Sequence, residues 1–236
     1  MTSGLAEAWE RYWHDLPTTP GAAPWDGDAT AHVAEHVPLF EPYFERDLPL
    51  LDIGCGNGRQ TLFLGTCFPR VIGLDVSESA VERARAGYVP DNVEFRRLDL
   101  LDTAAVADLS AELGDANVYM RAVLHQLPPE SKLAAAANLA RLLGERGHVF
   151  ALELTPEAGD LLDSAAGEEE GIPKVKRVMG YGIVAAQWSD LNERRLLEAA
   201  GLRLLETGRV TLRTTDRLAD GSPLDLPAEY AVATRA

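Results

Sequence analysis

Three glycines at alternate positions constrain the fold of this chain more than any other feature. They lie in segment 50–61, which reads L-L-D-I-G-C-G-N-G-R-Q-T. The apolar residues before the glycines predict a short buried strand, and a helical pattern follows them. Glycine lets the backbone turn sharply and lets a ligand lie against the main chain without meeting a Cβ. Such a turn at the carboxyl end of a strand is a common nucleotide-binding place in α/β proteins.

The residues after this turn alternate between strand and helix patterns, which predicts a Rossmann-like, doubly wound α/β fold. We predict N-terminal helices at 5–15 and 30–45, strands at 50–53, 70–75, 93–97, 116–121 and 147–154, and intervening helices at 58–67, 77–86, 103–112 and 130–143. Segment 155–187 reads as a long irregular insertion, and 189–200 as a helix. Strands at 202–210 and 228–235, joined by about 17 residues without a helix, should pair antiparallel at the sheet edge.

We therefore expect a single domain spanning 1–236. Its parts would be an N-terminal helical cover (1–48), a ligand-binding core (50–154), a substrate lid (155–187) and a C-terminal helix with two strands (188–236). A long insertion of the lid type is uncommon unless it has a function.

Composition and charge exclude several classes of protein. The apolar fraction is 46%, the charged fraction 25% and the formal net charge −15. An acidic chain is a poor nucleic-acid binder, and the sequence has neither a secretory signal nor a membrane-length apolar run. We expect a cytoplasmic protein without nucleic-acid or membrane partners.

The two cysteines have no metal-site or disulfide spacing. The basic cluster Lys174, Lys176 and Arg177 is either a solvated surface or a wall for an anionic substrate.

The glycine turn departs from the common phosphate-binding motifs. Arg59 stands where a G-x-G-x-x-G motif would have its third glycine, and G-R-Q replaces the G-K-[ST] of a P-loop. An acid, Asp52, precedes the glycines. Its carboxylate would repel a pyrophosphate but attract the ammonium group of an amino-acid tail. The negative charge of Asp52 therefore favours S-adenosylmethionine over a dinucleotide.

Two further acids follow successive predicted strands. Asp75 ends the second strand, where a carboxylate can accept both ribose hydroxyls. Asp99 follows the third strand and can accept from an adenine amine. Asp102 competes with Asp99 for this role but is better placed to begin the next helix. Asp75 could also be a surface or helix-capping acid.

With these acids in that order, the chain resembles a class I S-adenosylmethionine-dependent methyltransferase of the small-molecule type, from about residue 50 to the C-terminus. The resemblance implies a seven-stranded sheet whose last strand is antiparallel. It also implies that S-adenosylmethionine is the cofactor and S-adenosylhomocysteine the product. Asp52, Gly54, Gly56 and Gly58, with Cys55 between them, would line the methionine part; Asp75 with Val76 would bind the ribose, and Asp99 with Leu100 the adenine.

Segment 119–128 (Y-M-R-A-V-L-H-Q-L-P) is similar to the R-x-V-L-H-D segment of small-molecule O-methyltransferases, in which the residues around Arg121 face the cofactor. Gln126 stands where that pattern has an acid. The chain also lacks the D/N-P-P-Y/F tetrapeptide of many base- and glutamine-directed N-methyltransferases. His125 is the candidate catalytic base, with a packing role as its alternative, and Glu153 is a candidate for orienting substrate.

Candidate substrate residues come from the two covering segments. Tyr12, Trp13, His14 and Trp25 lie in the first, and Met179, Tyr181 and Trp188 in the second; each could instead pack the segments onto the core. We expect methyl transfer to a small molecule, first to oxygen, then to nitrogen or a carboxylate. The alternatives are a peptide- or protein-modifying methyltransferase and a cofactor-binding homologue without transfer activity. An NAD-dependent oxidoreductase fits neither Arg59 nor Asp52.

Overall fold

The computed structural model describes residues 4–27, 29–167, 172–183 and 193–236. Its helices are α1 (Gly4–Asp15), α2 (Ala29–Phe40), α3 (Arg59–Cys67), α4 (Glu78–Arg85), α5 (Thr103–Leu113), α6 (Pro129–Leu143), α7 (Pro156–Gly167), α8 (Pro173–Gly180) and α9 (Glu193–Ala199). Its strands are β1 (Leu50–Ile53), β2 (Val71–Asp75), β3 (Val93–Arg97), β4 (Asn117–Arg121), β5 (His148–Leu154), β6 (Leu202–Arg217) and β7 (Pro223–Arg235). A 3₁₀ turn, Leu124–Gln126, follows β4.

The seven strands form one sheet in the order β3-β2-β1-β4-β5-β7-β6. Neighbours among β1 to β5 are parallel, and β7 is antiparallel to both β5 and β6. The predicted fold class is confirmed. Because the strand order reverses beside β1, the carboxyl ends of β1 and β4 flank a crevice of the kind in which α/β proteins bind ligands.

Apolar side chains cover both faces of the sheet, as expected when crossover helices pack on each side. Every residue of β1 and β2 is buried. On one face, Phe40 of α2 packs against Tyr119 and Phe150. On the other, Met120 lies in a cluster with Leu139 of α6. The two clusters hold the strand ends rigidly at the edge of the crevice.

Two of the predicted segments are wrong in the structure. Segment 155–187 is not irregular, because α7 and α8 lie within it. Strands β6 and β7 are longer than predicted and form a hairpin with a short turn at 218–222, so the 17-residue connection does not exist. The antiparallel pairing itself is confirmed. Helix 30–45 ends at Phe40. Trp188, the acidic run 168–170 and the start of the predicted helix at 189 lie outside the described residues.

No described helix has the length and apolar character needed to cross a membrane.

Candidate functional site

The crevice opens into a cavity of about 460 Å³ whose two ends differ in chemistry. The polar end lies at the tips of β1, β2 and β3 and is lined by Asp52, Gly54, Cys55, Gly56, Asp75, Val76, Asp99 and Leu100. The apolar end lies beyond β4 and is lined by Leu154, Leu162, Val175, Met179, Leu212 and Leu226. The sheet order separates the two ends, with the tip of β4 between them.

The glycine turn is closed by aromatic side chains. Gly56 has a φ of 54°, and a Cβ added there would lie 2.7 Å from the Trp13 ring. Gly58 has a φ of 77° at the start of α3, and its missing Cβ makes room for Phe95. Gly58 was expected to line the ligand site, but it lies behind the turn and is not part of the cavity wall.

Asp52 is buried at the end of β1 and accepts a hydrogen bond of 2.6 Å from Thr61 Oγ1. Burial raises the pKa of Asp52 to about 6, although the Thr61 hydroxyl and the positive charge of Arg121 oppose the rise. A positive group entering the cavity would stabilise the charged carboxylate.

Asp75 is buried at the end of β2, and its two oxygens accept backbone N–H groups on either side. Gly56 donates to Oδ2 at 2.8 Å and Ser77 donates to Oδ1 at 2.9 Å. Burial raises the pKa of Asp75 to about 6, against the effect of these hydrogen bonds. The carboxylate is thus fixed against the glycine turn, at the wall of the cavity.

The two acids after β3 have different surroundings. Asp99 lines the cavity and accepts from the N–H of Leu101 at 2.9 Å. Asp102 is the N-cap of α5, where it accepts from the N–H groups of Ala104 and Ala105. Asp102 is therefore occupied by the helix, and Asp99 is the acid that faces the cavity.

His125 lines the cavity from the 3₁₀ turn after β4, and Glu153 of β5 holds it there. The Nδ1 atom of His125 lies 2.7 Å from Glu153 Oε2. The Glu153 carboxylate also accepts the backbone N–H groups of Val123, Leu124 and His125. Glu153 therefore fixes both the turn and the imidazole, which the sequence had not indicated beyond a role in orienting substrate.

Helix α1 covers the polar end through contacts that sequence analysis missed. Glu10 accepts hydrogen bonds from the hydroxyls of Ser77 and Ser79, after β2. Trp9 Nε1 donates to Gln126 Oε1 at 2.9 Å, while Gln126 Nε2 donates to the carbonyl of Ala122. A carboxylate at position 126 could accept but not donate. The two bonds therefore give a structural reason for the amide at this position.

The apolar end is walled by α7, α8 and the extended hairpin. Asp216 of β6 is buried and accepts the N–H of Val175 at 2.9 Å at the start of α8. Next to it, the N–H of Thr215 donates to the carbonyl of Pro24 at 2.7 Å. The hairpin tip thus holds α8 and the segment carrying Trp25 around one compartment.

The expected substrate residues divide into two groups. Trp13, Trp25 and Met179 line the cavity, as do Arg121 and His125. Tyr12, His14 and Tyr181 do not. Tyr12 is fully buried behind the wall, between Trp9 and Tyr181. Tyr181 donates its hydroxyl to Asp15 outside the cavity. His14 is exposed, because it lies about 100° around α1 from Trp13.

Comparisons with known proteins agree with this fold. A family model described as "Methyltransferase domain" matches residues 50–147. A solved S-adenosylmethionine-dependent methyltransferase from Anabaena variabilis is 35% identical, with a TM-score of 0.90 over 98% of this chain and 95% of that one.

Two curated relatives match a smaller share of this chain. The 27-O-demethylrifamycin SV methyltransferase of Amycolatopsis mediterranei is 30% identical over 80% of this chain. The trans-aconitate 2-methyltransferase of Deinococcus radiodurans is 34% identical over 36% of this chain. The chain spans 64% and 31% of the lengths of these two proteins.

Proposed function

The chain belongs to the S-adenosylmethionine-dependent methyltransferases, and we propose that it methylates a small molecule, with oxygen as the first candidate acceptor atom. One observation carries the proposal: a polar cradle at the strand tips and an apolar compartment share one cavity. A volume of about 460 Å³ and predominantly apolar walls are typical of small-molecule sites. Residues of α1, α7, α8 and the hairpin line this cavity, which favours a small acceptor over a peptide.

The names of the relatives support oxygen as the acceptor atom. The Amycolatopsis protein is named for a 27-O-demethyl acceptor. The Deinococcus protein is named for trans-aconitate, which keeps a carboxylate acceptor as an alternative. A nitrogen acceptor is a further alternative.

The residues at the polar end fit the cofactor. Asp52 with Gly54, Cys55 and Gly56 would hold its methionine part beside Arg121, because the turn presents backbone and a carboxylate rather than bulky side chains. Asp75 with Val76 would bind the ribose, whose hydroxyls would add donors to a carboxylate whose pKa is raised by burial. Asp99 with Leu100 would bind the adenine. When bound, S-adenosylmethionine supplies a methyl group activated by a positive sulfonium.

The remaining catalytic work is alignment, exclusion of water and acceptance of a proton. Trp13, Trp25 and Met179 would pack against the acceptor and exclude water. With its Nδ1–H donated to Glu153, His125 keeps Nε2 free to accept a proton at the cavity wall. His125 would take the proton of an acceptor hydroxyl at Nε2, and Glu153 would stabilise the imidazolium that forms.

The direct test is an acceptor screen with the purified protein and S-adenosylmethionine, detecting methylated product and S-adenosylhomocysteine by mass spectrometry. The panel contains apolar phenols and alcohols, carboxylic acids, amines and a peptide library. We expect transfer to hydroxylated small molecules. Transfer to peptides alone would support the protein-modifying alternative, and binding without any transfer would support the non-transferring one.

The role of His125 is tested with the acceptor that the screen identifies. His125→Asn should lower kcat by roughly 100-fold or more for a hydroxyl acceptor while the affinity for S-adenosylhomocysteine stays within about twofold. His148→Asn, at the opposite end of β5, is the matched control. An unchanged kcat in His125→Asn would return His125 to a packing role.

A further inference from the structure

Charge is distributed unevenly around the apolar end of the cavity. Among the described residues that α7, α8 and the hairpin contribute to its wall, the only ionisable side chains are those of Asp160 and Asp163. They are three positions apart on α7, so they lie on one face of that helix, together with Leu162, which also lines the cavity. Both acids are exposed, which places them at the mouth of the compartment.

The basic side chains of the same elements are engaged outside the compartment. Lys174 Nζ donates to the carbonyl of Thr215 at 3.1 Å and to its hydroxyl at 2.6 Å. Arg213 of β6 forms an ion pair with Glu35 of α2, with 2.9 Å between Nη1 and Oε1. Neither cation lines the cavity, and neither do the other two basic residues of α8. The basic cluster of α8 therefore does not supply the wall for an anionic substrate that its sequence allowed.

Two arginines among the described residues do line the cavity, but they belong to its polar end. Arg59 begins α3 directly after the glycine turn. Arg121 ends β4 beside β1, where the charges of Asp52 and Asp26 act on it. An anion in the apolar compartment would lose hydration among apolar walls and would meet two carboxylates at the mouth, without a cation from the described parts of α7, α8 and the hairpin.

We propose that the acceptor is an apolar molecule without a negative charge, and that Asp160 and Asp163 repel anionic acceptors at the cavity mouth. This inference rests on the proposed function, because it takes the apolar end as the acceptor site. It keeps hydroxyl and amine acceptors and excludes a carboxylate. The two acids are exposed to solvent, so their repulsion of an anion should weaken as the salt concentration rises.

Fluorescence titration with two matched probes tests the proposal without requiring a methylated product. N-phenyl-1-naphthylamine is apolar and uncharged, and 1-anilinonaphthalene-8-sulfonate adds a sulfonate to the same frame. With the protein saturated with S-adenosylhomocysteine, we expect the uncharged probe to bind at least about 10-fold more tightly at low salt. In the double variant Asp160→Asn/Asp163→Asn this ratio should fall about 3- to 10-fold, because only the sulfonate gains affinity. High salt should narrow the ratio in the wild-type protein in the same direction.

The double variant Glu82→Gln/Asp108→Asn is the control, because it removes two exposed charges away from the cavity and should leave the ratio unchanged. Thermal unfolding of each variant confirms that the protein folds.

Three results would overturn the proposal: sulfonate binding as tight as that of the uncharged probe, a ratio unaffected by Asp160→Asn/Asp163→Asn, or an equal change of the ratio in the control. If calorimetry showed no binding of S-adenosylhomocysteine, the proposed function would fail instead. The two probes would then be compared on the protein without S-adenosylhomocysteine, where the same ratio tests the charge selection.

Discussion

The polar and apolar ends of the cavity are built in different ways. The polar end consists of the tips of three parallel strands, so its acids follow one another at regular intervals along the chain. The apolar end is assembled from α7, α8, the hairpin tip and the segment around Trp25, which are far apart in sequence. Its shape depends on contacts between these segments, such as those of Thr215 and Asp216.

Because the two ends are built differently, they should select their ligands by different physical properties. Charge and fixed backbone geometry should determine which ligand binds at the polar end. At the apolar end, the packing of α7, α8, the hairpin tip and the segment around Trp25 should determine which acceptor fits. Substitutions at the polar end should therefore change cofactor affinity, and substitutions at the apolar wall should leave it unchanged.

The largest effect is expected for Gly56→Val. The new side chain meets Trp13 and requires a β-branched residue at positive φ, which is strongly unfavourable. We expect the affinity for S-adenosylhomocysteine to fall more than about 100-fold by calorimetry. Gly87→Val, at an exposed site with no atoms within 4 Å, is the control. Full affinity in Gly56→Val would show that the turn does not contact the ligand.

Asp75→Ala should have the next largest effect. Loss of a charged hydrogen-bond acceptor for the ribose costs about 1–3 kcal/mol, or roughly 10- to 100-fold in affinity for S-adenosylhomocysteine. Asp102→Ala is matched in chemistry but removes only the α5 cap. It should lower the melting temperature and leave the affinity intact. Unchanged calorimetric affinity in Asp75→Ala would remove Asp75 from the ribose site.

A smaller effect is expected from pH. The pKa values of Asp52 and Asp75 are raised from 3.8 to about 6 in the folded protein. Their contribution to the free energy of unfolding is therefore full below pH 3.8 and is lost as the pH rises through 6. The affinity for the ligand should instead rise with pH, because the charged carboxylates bind the ammonium group and the ribose.

Between pH 7.5 and pH 5.5, affinity for S-adenosylhomocysteine should fall roughly 16-fold, and in Asp75→Asn only about fourfold. Calorimetry in two buffers of different ionisation enthalpy measures the protons released on binding at pH 5.5. Binding that is independent of pH over this range would contradict the raised pKa values or the placement of the ligand.

The smallest effect on cofactor affinity is expected at the apolar wall. Asp216→Ala removes the acceptor for the first turn of α8, which should lower the free energy of unfolding by about 1–3 kcal/mol. The affinity for S-adenosylhomocysteine should stay within twofold of wild type. Asp225→Ala, an exposed acid on the same hairpin, is the control for stability. A tenfold loss of affinity in Asp216→Ala would show that the two ends are coupled.

Sequence analysis predicted the polar end better than the apolar end for a physical reason. The apolar runs of β1 to β5 and the acid at or just beyond the carboxyl end of each of the first three strands are local patterns, and parallel strands bring their carboxyl ends to one edge. The extended part of the hairpin has no such pattern, since its residues 211–217 (T-L-R-T-T-D-R) mix polar and apolar types. Contacts with α8 and with Pro24 hold this segment in place. Helix α8 is short and begins with a proline, so its sequence predicts irregular chain.

Local sequence patterns also predict some single residues and miss others. Periodicity could have excluded His14 from the wall, because it faces away from Trp9 and Trp13 on α1. The contacts of Gln126 with Trp9 and of Glu153 with His125 join residues 117 and 28 positions apart. One sequence gives no signal for such pairs beyond the unusual amide at 126.

A crystal structure with S-adenosylhomocysteine tests the central claim most directly. We predict that the ligand lies along the tips of β1, β2 and β3, with its ribose hydroxyls on Asp75, its adenine beside Asp99 and its sulfur towards the apolar compartment. A ligand placed with its adenine against α7 and α8, or outside this crevice, would contradict the account.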